Sequence, residues 1–132
     1  TSVISEAASR QKCNYAHHYI LATGGFLGGG FIAQENGYAQ EVVFGLPVQV
    51  PSNRSGWIDP RFLIQGGQAI FRAGIRVAKQ FRPSDMMDRP LLTNVSVVGG
   101  ALSNYDPLRE RSQEGVALTS GFWAVRALEE LP

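Results

Sequence analysis

The chain has 132 residues, 44% of them hydrophobic and 17% charged, with a formal net charge of +1. That length supports one domain with a core, burying roughly two-thirds of its unfolded surface. The balanced, scattered charge leaves no basic field for nucleic acid or an anionic membrane surface. Cys13 is the single cysteine, which excludes an intrachain disulfide or a cysteine zinc cluster and fits a reducing compartment. No run of about 18 apolar residues could cross a bilayer, and residues 1–10 lack the basic start and apolar core of a secretory signal. The low charge fraction and the start at Thr1 rather than Met point to part of a larger globule.

Residues 3–8 and 15–22 read as short strands on either side of a polar turn at Arg10-Gln11-Lys12, with Tyr15, Tyr19 and Ile20 supplying β-favouring side chains. Five of the seven residues from 24 to 30 are glycine, which predicts a turn with positive φ or close backbone approach. Residues 31–35 predict a short helical turn stopped by Asn36-Gly37. Residues 41–50 form an apolar run broken by Gly45 and Pro47, an edge or bulged strand at best. The loop that follows carries Pro51, Gly56 and Pro60. Trp57, Ile58, Phe62, Leu63 and Ile64 lie in or beside it, and so many large apolar groups in irregular chain predict packing against a partner domain.

Residues 74–78 are strand-like, Arg82-Pro83-Ser84 reads as a turn, and residues 94–98 read as a buried strand. Residues 113–131 form the clearest helix, with Val116, Thr119, Ser120, Trp123, Ala127 and Leu131 along one face. Ser112 is placed to cap it, two residues before Glu114 at the positive end of the helix dipole. Gly115 and Gly121 cost about 1 kcal/mol each against Ala in a helix, which predicts close packing or close ligand approach.

Two apolar strands end on glycine pairs, Tyr19-Ile20-Leu21-Ala22-Thr23-Gly24-Gly25 and Thr93-Asn94-Val95-Ser96-Val97-Val98-Gly99-Gly100, and the second leads into the helix. Such endings bring main-chain N–H groups up to a phosphate, so a nucleotide-type cofactor is expected. Gly28-Gly29-Gly30-Phe31-Ile32-Ala33 fits the dinucleotide phosphate turn formally, but no acidic residue closes a second strand about 20 residues on. Arg109 and Arg111 have the chemistry of a phosphate clamp, although exposed arginine is the default surface residue. His17 and His18 alternate faces on a strand and have no second ligand cluster, so no metal is expected. Asp85, Asp88 and Asp106 sit in turns, where Asp commonly bonds its own backbone. No catalytic residue can be assigned.

Taken together, Leu21-Ala22-Thr23-Gly24-Gly25-Phe26, Gly28-Gly29-Gly30, Glu35-Asn36-Gly37, Phe44-Gly45-Leu46, Phe81-Arg82-Pro83, Asn94-Val95, Val98-Gly99-Gly100 and Tyr105-Asp106-Pro107 resemble the C-terminal part of the B-subunit family of anaerobic glycerol-3-phosphate dehydrogenase over residues 19–128. The resemblance implies an α/β fold class. Residues 1–132 would be a single-domain fragment, the C-terminal flavin-binding portion of an FAD/NAD(P)-binding, Rossmann-like, two-dinucleotide-domain flavoprotein, without the N-terminal phosphate-binding βαβ unit. It implies a flavin cofactor, FMN or FAD, and cofactor contacts from Thr23, Gly24, Gly25, Gly99, Gly100, Gly115 and Val116.

The activity implied for the parent protein is oxidation of glycerol 3-phosphate to dihydroxyacetone phosphate with electrons passed to a quinone, the fragment alone being inactive. The implied partners are the other subunits of that dehydrogenase complex, including a flavin-bearing subunit and a membrane-anchoring iron–sulfur subunit. The implied location is cytoplasmic, with peripheral attachment at the inner face of the cell membrane through a partner subunit. Two features depart from related flavoproteins: Gly100 stands where many carry an acidic residue, and Arg109-Glu110-Arg111-Ser112-Gln113-Glu114 replaces a glycine-rich approach to the helix. Both favour an alternative, a non-catalytic subunit-interaction module docking through the aromatic loop around Trp57, Phe62 and Phe71.

Overall fold

The computed structural model describes residues 2–129. Its strands are β1 (Ser2–Ala7), β2 (Arg10–Tyr15), β3 (Tyr19–Leu21), β4 (Phe31–Ala33), β5 (Ala39–Glu41) and β6 (Val95–Val97), followed by a short helix α1 (Pro107–Glu110) and a long helix α2 (Gln113–Glu129). The chain is therefore mixed α/β, with irregular, tightly bonded segments between β5 and β6.

β1 and β2 form an antiparallel hairpin with Ser2 opposite Tyr15 and Ala7 opposite Arg10. Its loop is Ala8-Ser9, both residues at positive φ (49° and 60°), the turn hand that matches strand twist. The expected polar turn at Arg10-Gln11-Lys12 is instead the start of β2. The hairpin is exposed on both faces apart from half-buried Val3 and Asn14, so polarity there carries no turn information. The expected strand over residues 15–22 is split at residues 16–18. The Tyr19 hydroxyl braces the break by donating to the Asn14 carbonyl and accepting from the Ala16 N–H, each at 3.0 Å.

The expected helical turn over residues 31–35 is β4, which pairs antiparallel with β5. Phe31 is buried while Ile32 is 60% exposed, the partner strand β5 alternates with Ala39 and Glu41 buried about exposed Gln40, and Asn36-Gly37 turns the hairpin with Gly37 at φ +86° rather than stopping a helix. The carboxylate of Glu41 is buried and accepts the N–H groups of Val43 and Phe44, both at 2.8 Å, so it closes the tight turn that follows. Beyond it the chain makes only single bridges, Gln40 with Pro47 and Gln49 with Gly74, as the Gly45 and Pro47 interruptions predict. Residues 74–78 are likewise reduced to bridges, Ile75 with Leu102 and Val77 with Pro83.

β3 and β6 are parallel neighbours, with Tyr19, Ile20 and Leu21 opposite Val95, Ser96 and Val97. Ile75, Val95, Val97 and Ala101 form the driest part of the core, extended by Leu21, Phe31, Ala39, Leu46, Val48 and Trp57. Phe26 links these by ring contacts to Phe31 (5.4 Å) and Trp57 (5.9 Å). α2 seats on the 3₁₀ turn Gly99–Ala101 through Ser120 and Ala124, both buried, with Val116, Gly121, Ala127 and Leu128 half-buried beside them. The expected face is corrected here: Thr119 is exposed and Trp123 is 56% exposed, while Leu131 lies outside the described residues. Small side chains face inward because the helix comes close to main chain. The larger ones, Leu118, Phe122, Trp123 and Val125, are left on the outside.

Candidate functional site

Because β3 and β6 are parallel neighbours, their C-terminal ends emerge at one edge, tied by the Val98 N–H donating to the Leu21 carbonyl at 3.0 Å. Ala22-Thr23-Gly24-Gly25 leaves one strand and Gly99-Gly100 leaves the other, with Gly24 (φ +76°) and Gly99 (φ +63°) in the left-handed region. The two turns touch through main chain. A Cβ on Gly25 would stand 3.2 Å from the Gly100 carbonyl oxygen, and one on Gly100 would stand 3.6 Å from the Gly24 Cα. Gly30 folds back under the same turn: its N–H donates to the Gly25 carbonyl at 3.0 Å, and a Cβ there would be 2.6 Å from the Thr23 carbonyl oxygen.

α2 is locked to this edge by one buried hydroxyl. Ser120 Oγ accepts the Gly99 N–H at 2.9 Å and donates to the Val116 carbonyl at 2.6 Å. The structure therefore brings Thr23, Gly24, Gly25, Gly99 and Gly100 together, with Val116 joined through Ser120. Gly115 is exposed in the first turn of α2 and a Cβ on it would meet nothing within 4 Å; the same holds at Gly121. Close packing within the chain thus explains neither helical glycine. Thr23 Oγ1 is buried without a hydrogen-bond partner among the described residues. Among the described residues it is the one fully buried polar side-chain atom at the glycine junction left without a hydrogen-bond partner. Thr23 also ends the lining of an open groove of about 460 Å³ that runs beside β3, with Tyr19, Ile20 and Leu21 on one side and Val43 and Phe44 on the other.

Sequence reasoning missed two participants, Gly30 and Tyr105. Tyr105 lies 3.8 Å through its hydroxyl from a Cβ built on Gly100, and burial followed by the Glu110 charge raises its phenol above the ordinary value. Gly30 lies in the glycine run expected to make a close backbone approach, but nothing local distinguishes it from its neighbours, and nothing local marks Tyr105, a loop tyrosine, as facing Gly100. A search of protein-family models finds no match, and no solved structure matches the chain. Among individual proteins, the chain is 30% identical over 115 residues to the B subunit of anaerobic glycerol-3-phosphate dehydrogenase from Aliivibrio fischeri strain MJ11, covering 87% of this chain and 25% of that protein. The B subunit of the same enzyme from Vibrio cholerae serotype O1 strain ATCC 39315 is 29% identical over 113 residues, 86% of this chain and 25% of the relative. A probable B subunit of anaerobic glycerol-3-phosphate dehydrogenase from Halobacterium salinarum is 30% identical over 117 residues, 89% of this chain and 27% of that protein.

The chain is a relative of the B-subunit family of anaerobic glycerol-3-phosphate dehydrogenase. It spans about a quarter of the length of the relatives it matches. No helix among the described residues is long and apolar enough to cross a membrane.

Among the remaining candidate groups of this dehydrogenase-subunit relative, the aspartates and His18 have structural partners, while the arginines and His17 are exposed. Gly28–Ala33 does not act as a dinucleotide turn, because residues 31–33 are strand β4 and no helix N-terminus follows the glycines. Asp106 caps α1, accepting from the N–H groups of Leu108 and Arg109 at 3.1 Å each, and Asp85 accepts from Met87 (2.8 Å) and Arg89 (3.0 Å). Asp88 instead pairs with Arg76. Arg109 and Arg111 are both exposed; the stem of Arg109 lies against Gly67, and Arg111 ends α1 in a left-handed conformation at φ 51°. His17 is exposed and His18 meets Ser96 Oγ at 3.0 Å through Nε2. Among the described residues no group of three or more His, Cys, Asp or Glu could hold a metal ion.

Proposed function

We propose that the chain closes one side of a flavin site in a B-type subunit of anaerobic glycerol-3-phosphate dehydrogenase. It would work within an assembly that oxidises glycerol 3-phosphate to dihydroxyacetone phosphate and passes the electrons to a quinone. The observation that carries this reading is the side-by-side exit of two parallel strands into touching glycine turns. In α/β sheets, ligands bind outside the carboxyl ends of parallel strands, where main chain can approach them. The orphaned Thr23 hydroxyl fits such a group, since a cofactor oxygen or ring nitrogen would satisfy it.

Flavin, as FMN or FAD, supplies the electron-accepting chemistry when bound. This chain's part is position. Gly24, Gly25, Gly99 and Gly100 keep Cβ atoms out of the approach, and Ser120 fixes α2 against the Gly99 turn. Gly115, exposed and uncrowded, leaves room at the start of α2 for something outside this chain. The Rossmann-like architecture is part of the same proposal. Parallel sheets are ordinarily covered on both faces by more chain than two three-residue strands provide, so the remaining strands and the phosphate-binding βαβ unit would come from outside these residues.

A second reading, a subunit-interaction module, is favoured by the exposed apolar groups Phe62 (88%) and Leu63 (90%) and by the outer face of α2. Trp57, named in that reading, is buried and serves the core instead.

The deciding experiment compares absorbance and released-flavin fluorescence of the full-length parent with those of the 132-residue chain, each with FMN and FAD added. Flavin in the parent but not in the chain supports a shared site. Flavin in neither favours the interaction module, and tight stoichiometric flavin on the chain alone refutes the shared site.

A further inference from the structure

Away from the glycine turns lies an open cleft of about 610 Å³ whose lining includes Lys79, Gln80, Arg82, Asp88 and Pro90, and none of the candidate flavin contacts. Its charge is unbalanced. Asp88 is the one carboxylate in the lining and is already engaged by Arg76, whose Nε and Nη2 both reach Asp88 Oδ1 at 3.1 Å. Lys79 and Arg82 form no ion pair among the described residues. Arg82 Nε is buried and has no acceptor among the described residues. A buried guanidinium N–H without an acceptor is costly, and the cost is removed when an anion supplies one.

The backbone that carries these two cations is held in an unusual shape. Gln80 (φ 60°) and Phe81 (φ 57°) are consecutive non-glycine residues in the left-handed region, a conformation that persists only when its surroundings impose it. Here the imposing contact is identifiable: Ser96 Oγ, on β6, donates to the Gln80 carbonyl at 3.1 Å and so accepts from His18 Nε2 at 3.0 Å. Arg82 is turned back by its N–H to the Lys79 carbonyl (3.4 Å) and by the Ala78 N–H to its own carbonyl (2.9 Å). The turn thus sets Lys79 and Arg82 on the rim of one cleft. Burial, and then the nearby Arg82 charge, hold His18 below its ordinary pKa, so uncompensated positive charge is felt at the centre of this network.

We propose that this cleft is a second binding site, for a small phosphate-bearing anion gripped by the Arg82 guanidinium and the Lys79 ammonium. Arg presents a planar fork matched to phosphate oxygens, and Lys adds a mobile point charge. The site is independent of the flavin reading, because it shares no lining residue with the glycine turns.

The test is a titration of the full chain with inorganic phosphate at constant ionic strength, followed by ¹⁵N NMR of the Arg82 Nε–H and the His18 ring, with chloride as control. A saturable shift of both, with His18 becoming easier to protonate, is expected. Lys79→Gln should weaken phosphate by roughly tenfold, the size of one charge-assisted contact, and Arg82→Gln by at least as much. Arg61→Gln, in the separate Arg61–Asp59 pair, should leave it unchanged. Lys79 is exposed, so its variant keeps the test decisive even where Arg82→Gln fails to fold. No saturable shift, an equal shift with chloride, or unchanged affinity in Lys79→Gln would overturn the proposal.

Discussion

Gly30 is the residue on which the glycine edge most directly depends, and Gly30→Ala is the sharpest test of the packing described. The residue is buried, and its added Cβ would sit 2.6 Å from the Thr23 carbonyl oxygen and closer still to that of Gly24. Both opponents are main chain, so no side-chain rotation relieves the overlap; one strand of the turn must move by about 1 Å, an overpacking cost of ~1 to 3 kcal/mol. That movement strains the Gly30 N–H to Gly25 carbonyl bond (3.0 Å) and the Val42 N–H to Gly30 carbonyl bond (3.1 Å), each worth about 1 kcal/mol. The expected loss is about 3 kcal/mol.

The matched control is Gly29→Ala. There the Cβ meets nothing within 4 Å and only the positive φ of 76° is penalised, at about 1 kcal/mol. The difference of about 2 kcal/mol corresponds to a urea midpoint lower by about 1 M for Gly30→Ala than for Gly29→Ala, at an ordinary denaturant slope. Equal midpoints for the two variants, or a milder effect at Gly30, would refute the close approach of Gly30 to the Thr23-Gly24 main chain.

Four further outcomes follow from the same geometry. Gly115→Ala and Gly121→Ala should each stabilise the chain by about 1 kcal/mol in thermal melts, because neither Cβ meets an obstacle; in the flavin-loaded parent, weaker binding by Gly115→Ala alone would mark that position as a cofactor contact. Ser120→Ala removes the acceptor of the buried Gly99 N–H and should cost ~1 to 3 kcal/mol, measured by urea unfolding. Thr23→Val replaces a buried, unpartnered hydroxyl with a methyl group and should raise the stability of the free chain by roughly 1 kcal/mol while weakening flavin in the parent. A drop in stability without any change in flavin retention would contradict the role given to that hydroxyl. His18 has a folded-state pKa below its ordinary 6.5, set first by burial and then by Arg82. Between those two values the unfolded chain binds more protons than the folded one, so stability should fall as pH drops below about 6.5. His18→Gln should flatten that part of the stability-against-pH curve, and an unchanged slope would remove His18 as its source.

Local signals in the sequence carried the family resemblance, the glycine-rich turn, the β6 strand and the long C-terminal helix. Each rests on something local: glycine density, a run of buried β-branched residues, or a helix period sustained over many residues. The polar cluster at Arg10 to Lys12 misplaced a turn because polarity marks loops only where strands have a buried face, and this hairpin has almost none. Asn36-Gly37 was read as a helix stop because Gly at a helix end and Gly in a hairpin turn share one backbone conformation; the exposed Ile32 beside buried Phe31 decided for the hairpin.

What only the tertiary structure decided is who faces whom. A sequence shows two glycine pairs about 75 residues apart in the chain; the parallel register of β3 on β6 makes them touch. The inner face of α2 depends on the distance to the Gly99–Ala101 turn, which selects Ser120 and Ala124 over Trp123 because only small side chains fit against main chain. The basic cleft is likewise invisible along the chain, since Lys79 and Arg82 become a pair only when Ser96, on a strand beyond them, holds the turn between them in a left-handed shape. Composition and period set the elements, while long-range hydrogen bonds and steric closeness, which no local window contains, set the sites.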